Sequence, residues 1–175
     1  MGGDLTRSIL ALALLLIHSP ISAPAMPPTR HVDEPPPRLM IVFKALANAS
    51  REFGVSPRLA FSVAWNESSF NPSAQSRDPD THQVIARGLM QISKEYQDEL
   101  VRTYLPGMHP RAFEWWNPVH SARLGCAMLA GLTKRFGTWA AVCAYNAGDG
   151  RVLQLLKHGR RLPSETESYY RKVLQ

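Results

Sequence analysis

Glu67 is the first residue of this sequence whose position suggests chemistry. Ala60, Val63 and Ala64 mark one stripe of a helix, and Glu67 continues it, seven residues after Ala60 and four after Val63. A carboxyl group on the apolar side of a short helix is costly to ionise unless a partner offsets the burial. Two uses fit such a group. One is a structural hydrogen bond or ion pair. The other is a half-buried carboxyl that keeps its proton near neutral pH and acts as a general acid. Position alone leaves both open, because structural carboxylates also sit this way.

Four segments narrow the choice. The first is Ala64-Trp65-Asn66-Glu67-Ser68-Ser69-Phe70-Asn71-Pro72 and the second Gly88-Leu89-Met90-Gln91-Ile92. The third is Ala144-Tyr145-Asn146-Ala147-Gly148 and the fourth Glu165-Thr166-Glu167-Ser168-Tyr169. In content, order and approximate spacing they resemble the signatures of the soluble lytic transglycosylase family, whose catalytic domain is related in shape to goose-type lysozyme. The resemblance covers residues 38–174. It implies a lysozyme-like helical domain with a central cleft, and Glu67 as the sole acid/base. The expected reaction cuts the glycan strands of peptidoglycan between N-acetylmuramic acid and N-acetylglucosamine, leaving a 1,6-anhydromuramic acid end. It also implies that Ser68, Met90, Gln91, Tyr145, Asn146 and Tyr169 line the cleft. Read by chemistry alone, the amides of Gln91 and Asn146 suit sugar hydroxyls and acetamido groups. Tyr145 and Tyr169 offer a hydroxyl beside an apolar face. Met90 and Tyr145 have a core-packing alternative. Glu165, just after Ser164, has another, since a carboxylate at a helix start is favoured by the dipole alone.

The elements that must position these residues are helical. Leu39, Val42, Phe43, Leu46 and Phe53 recur at helical spacing and Gly54 ends the run. Ser56 caps a second helix with Pro57 at its first position, running to about Ser69 before Asn71-Pro72 breaks it. A polar loop follows through Ile85. Helical patterns resume over 88–104, 118–136, 138–145, 150–158 and 164–174, and no stretch alternates at a period of two. The expected class is all-α. Trp115-Trp116 is read as core in preference to a sugar platform.

Two departures from the family pattern bear on function. The stretch 75–86 is long and polar, and carries Asp78, Asp80 and His82; loops of this kind near a site set specificity or act as lids. A swing of Asp78 or Asp80 toward Glu67 would permit ordinary hydrolysis. Ser121 stands where the family has asparagine, which puts one buried hydrogen bond in question.

Bulk properties set the context. The 175 residues suffice for one folded domain, assigned to 38–175. Arg7, the apolar run from Ile9 to Ile17 and the small residues Ser22, Ala23 and Ala25 read as a signal peptide over 1–25, with export to the periplasm or cell envelope. Residues 26–37 read as a proline-rich tether. The net charge of +6 suits an acidic polymer. Nucleic acid is excluded as a partner, since no signature for it appears and the chain reads as exported. No cofactor and no metal are expected, the histidines being scattered without zinc spacing. Cys126 and Cys143 are read as a disulfide or as two small buried residues. The expected partner is the glycan strand, bound by a monomer. Small size adds the expectation of service beside a secretion, conjugation or phage apparatus. A lysozyme-type hydrolase and a non-catalytic wall-binding factor are the competing functions.

Overall fold

The computed structural model describes residues 36–175. The expected signal peptide, and all but the end of the expected tether, lie outside the described residues. Helix α1 (Pro37–Phe53) opens on proline, where a missing N–H leaves nothing unpaired, and ends at Gly54 with φ +66°. Its buried stripe is Val42, Ala45, Leu46 and Ala49. Helix α2 (Pro57–Ser68) buries Leu59, Ala60, Val63 and Ala64. The Ser56 side chain makes no capping bond there, contrary to the sequence expectation. Ser69 and Phe70 both turn left-handed, at φ 50° and 62°. That reversal folds Phe70 back onto Phe43 and Phe61, which fixes the α2 terminus where Glu67 sits.

Next comes a small antiparallel sheet, β1 (Gln75–Arg77), β2 (Val84–Arg87) and β3 (Ile92–Ser93), in the order β1-β2-β3. Its pairs include Ser76 with Ala86 and Ala86 with Ser93, with a bulge at Ser76/Arg77. Two sequence expectations are corrected here. The 75–86 stretch is a hairpin rather than an open loop. The 88–104 helix is helical only as α3 (Gln97–Tyr104). The cause is local backbone geometry. Gly88 (φ +87°) and Gln91 (φ +46°) both lie in the left-handed region, which interrupts a helix, and Ile92-Ser93 then pair with β2. Strands of two to four residues are too short to display alternation, so the fold remains mostly helical with this sheet inserted.

A short 3₁₀ turn (Pro110–Ala112) leads to α4 (Pro118–Phe136), capped by the Asn117 side chain, which accepts the Val119 N–H at 3.0 Å. Around α4 pack α1, α3 and α5 (Thr138–Ala147). Ala140 to Ala144 are all buried, as expected of a helix enclosed on every side. Helices α6 (Asp149–His158) and α7 (Ser164–Leu174) complete the chain, and both pack on α5. The end of α7 is tied to α2: Ser62 Oγ donates to the Val173 carbonyl at 2.9 Å, and Arg58 donates to the Gln175 carbonyl. Cys126 and Cys143 are free and buried, on α4 and α5, so the packing alternative holds and the disulfide does not form. Trp116 is 52% exposed, which corrects the core assignment for that ring; Trp115 is half-buried beneath it, edge-on at 5.6 Å.

Candidate active site

Glu67 lies in the last turn of α2, on the continuation of the Ala60-Val63-Ala64 stripe. Because α7 crosses α2, Tyr169 reaches it from 102 residues away and donates its hydroxyl to Glu67 Oε1 at 2.5 Å. Burial pushes the Glu67 carboxyl up to about 7, and the Tyr169 hydrogen bond holds it back from rising further. Tyr169 is itself shifted upward by burial and by the charge of Glu67, so its hydroxyl remains a donor. A protonated acid with a fixed donor beside it is the arrangement for passing a proton to a leaving oxygen near neutral pH.

Glu67 faces a cavity of about 340 Å³ also lined by Gln91, Tyr145, Asn146 and Glu165. An adjoining hollow of about 520 Å³ shares Ser93, Leu100, Met128, Tyr145 and Asn146 with it and continues toward Tyr96 and Asp149. The two form a groove floored by the third signature, flanked by the sheet on one side and by α7 on the other. Concave, mixed polar and apolar surfaces of this size are typical of ligand sites.

Not all of the expected lining residues face this groove. Met90 is fully buried, its side chain pressed against Gly125, where a Cβ would come within 2.6 Å of it. Its backbone is held at both ends: the N–H donates to Ser121 Oγ at 3.1 Å, and the carbonyl accepts from Tyr145 Oη at 2.8 Å. Met90 is therefore a packing residue, which corrects its place in the cleft. Ser121 thus makes a buried hydrogen bond of its own at this position. Ser68 is also engaged by the fold. Its hydroxyl donates to the Leu89 carbonyl at 2.8 Å, with Ala64 O at 3.1 Å, and so ties the helix end to the second signature. Gln91 lines the cavity, but its amide is spent on the fold. Nε2 donates to the carbonyls of Gly88 (2.9 Å) and Ala74 (3.3 Å), and Oε1 accepts from Ser76 Oγ at 2.7 Å. Tyr145 lines the cavity with its ring while its hydroxyl is occupied by Met90.

Asn146 is different. Its Oδ1 accepts from Thr166 Oγ1 at 2.8 Å, which leaves Nδ2 to serve as a donor to a ligand. Thr166 is 2% exposed and was missed in the sequence. The signal was available in its place beside Glu165, but only the crossing of α5 and α7 shows what the hydroxyl meets. Glu165, in the first turn of α7, is exposed and lines the cavity. Asp78 does not swing toward Glu67. It accepts from the Asp80 and Thr81 backbone N–H groups (3.1 and 2.7 Å) and from the Thr81 hydroxyl (2.9 Å), closing its own turn.

The transglycosylase SLT domain model matches residues 44–167. The X polypeptide of Escherichia coli is 31% identical over 122 residues, covering 69% of this chain and 68% of that protein. Among solved structures, an inactive mutant of the lytic transglycosylase Slt from Pseudomonas aeruginosa is 28% identical with a TM-score of 0.60. The 70-kDa soluble lytic transglycosylase in complex with bulgecin A is 26% identical with a TM-score of 0.63. Each superposition covers 75% of this chain and 22% of the larger one, so the chain spans about a fifth of those proteins. The fold is the lysozyme-like helical fold of soluble lytic transglycosylases, and this chain belongs to the transglycosylase SLT domain family.

Proposed function

We propose that the protein is a peptidoglycan lytic transglycosylase with Glu67 as its acid/base. The observation that carries this reading is the half-buried Glu67, its carboxyl raised by burial to about 7 and held by Tyr169 at the groove. Glu67 gives its proton to the oxygen between N-acetylmuramic acid and N-acetylglucosamine as the C1–O bond breaks. The C6 hydroxyl of the muramoyl unit then attacks C1 and passes its proton to the Glu67 carboxylate. One 1,6-anhydro ring forms, one glycosidic bond is lost, and the acid is restored. A glycosidase normally needs a second carboxylate for its nucleophile or water. Here the attacking group is already attached to the substrate, and its effective concentration takes that role. Asn146 Nδ2 and the Tyr145 ring hold the sugars in the groove.

Glu165 favours one alternative. As a second carboxylate lining the same cavity, it gives a hydrolytic mechanism a candidate base. The products separate the two. Muropeptides released from purified sacculi are expected to end in anhydromuramic acid, lighter by one water than hydrolysis products. Glu67→Gln is expected to fold and to lose at least ~10²-fold of the activity. Reducing muramic acid ends would make the enzyme a lysozyme, and near-wild-type cutting by the variant would remove Glu67 from the chemistry.

An exported monomer working in the periplasm or envelope, beside a secretion, conjugation or phage apparatus, is the cellular setting that accompanies this reading. The leader-like residues 1–25 support export. Loss of macromolecular transport on gene deletion is the expected phenotype; a defect confined to growth or division would count against the transport role.

A further inference from the structure

Residues 151–172 hold six of the protein's 20 Lys and Arg residues against two carboxylates. Three of the six sit at the α6–α7 junction: Lys157 in the last turn of α6, and Arg160 and Arg161 in the connection that follows. All three are exposed, and among the described residues none has a carboxylate within ion-pair distance. The connection is anchored at both ends. Gly159, at φ +63°, stops α6, and Leu162 packs into the small core of Leu132, Ala141, Cys143 and Val152. Four residues beyond Arg161, Glu165 lines the cavity that holds Glu67. The Cα atoms of Arg161 and Glu165 are thus no more than ~14 Å apart, the reach of four extended residues.

We propose that Lys157, Arg160 and Arg161 form a rim site that takes the carboxylates of the peptide stems carried by the strand lying in the groove. The inference rests on peptidoglycan being the substrate. A stem of about five residues spans up to ~17 Å when extended, enough to run from the groove to this connection. Its carboxylates match the guanidinium forks of the two arginines, which bind such groups in a paired geometry. Anchoring by Leu162 means little further ordering is needed when the stem binds. A lipid surface is the poorer fit. Leu156 is the exposed apolar residue next to the connection, and one such side chain gives little to insert.

The test compares the full chain carrying Lys157→Ala, Arg160→Ala and Arg161→Ala together with its parent. Both carry Glu67→Gln so that strands stay uncut, and sedimentation measures binding to sacculi and to glycan strands stripped of peptides. Circular dichroism checks that the triple variant is folded. On peptide-bearing sacculi the variant is expected to bind about tenfold more weakly, with a shallower salt dependence, since rim charges act singly as weak contacts. On stripped strands the two proteins are expected to bind alike. Equal weakening on both materials would reduce the site to unselective attraction and overturn the proposal. So would equal binding of both proteins to peptide-bearing sacculi, or a loss that vanishes once wall phosphate polymers are removed. Failure of the parent to bind either material would instead overturn the peptidoglycan reading itself.

Discussion

Glu67 and Tyr169 form a pair whose two members change each other's protonation, and the pH profile reports it. The Tyr169 hydroxyl opposes the upward push of burial on Glu67. Tyr169→Phe removes the donor and keeps the ring, so the carboxyl is expected to titrate above its present value of about 7. The alkaline limb of the activity profile then moves to higher pH, and the maximum rate falls by a smaller factor than in Glu67→Gln. A limb that stays in place on kcat/KM measurement would mean that the hydrogen bond does not tune the acid. Asn146 shows the same logic in a neutral group. Its amide is suited to a sugar from the sequence alone, yet which of its two atoms remains for the ligand is decided by Thr166.

At the scale of elements, the second signature is a junction rather than a binding strip. Leu89 and Met90 give their backbone groups to Ser68, Ser121 and Tyr145, and Ile92 pairs with Arg87, so α2, α4, α5 and β2 all meet there. Gly88 is required at this point for two reasons: its φ of +87°, and the Trp115 carbonyl, which would lie 2.4 Å from an added Cβ. Ser121→Ala leaves the Met90 N–H buried without an acceptor. It is expected to lower stability by about 1–3 kcal/mol, measured by urea unfolding with an unchanged m-value. A loss below ~0.5 kcal/mol would show that the junction relaxes to find another acceptor.

For the molecule as a whole, the acid is a stability liability whose sign follows from its shift. Unfolded, the Glu67 carboxyl titrates near 4.5; folded, near 7. Below the unfolded value both states are protonated and there is no penalty. As pH rises to and through 7 the folded state must ionise a buried group or retain its proton against the gradient. The native state thereby loses stability, up to about 3 kcal/mol before allowance for partial exposure. Glu67→Gln removes that dependence. The variant is expected to gain in melting temperature relative to wild type at pH 8 and to show little of that gain at pH 4. An equal difference at both pH values would mean that the folded carboxyl is not raised.

The sequence by itself determined the helices, their proline starts and glycine stops, the apolar stripe bearing Glu67, and the order of the four signatures. These are local quantities: periodicity, caps and residue type act within a few positions of themselves. The ends of α4 and α7 are legible to the residue for that reason. Helical periodicity failed at 88–96, where two left-handed residues and pairing to a distant strand outweigh it. Likewise, only tertiary packing decided that Met90 packs in the core instead of lining the groove, that Ser68 bonds to the second signature, that Trp116 faces outward, and that Thr166 orients Asn146. Such assignments depend on which helix crosses which. The Glu67–Tyr169 contact joins residues 102 positions apart, and its chemistry exists only once α7 is laid across α2.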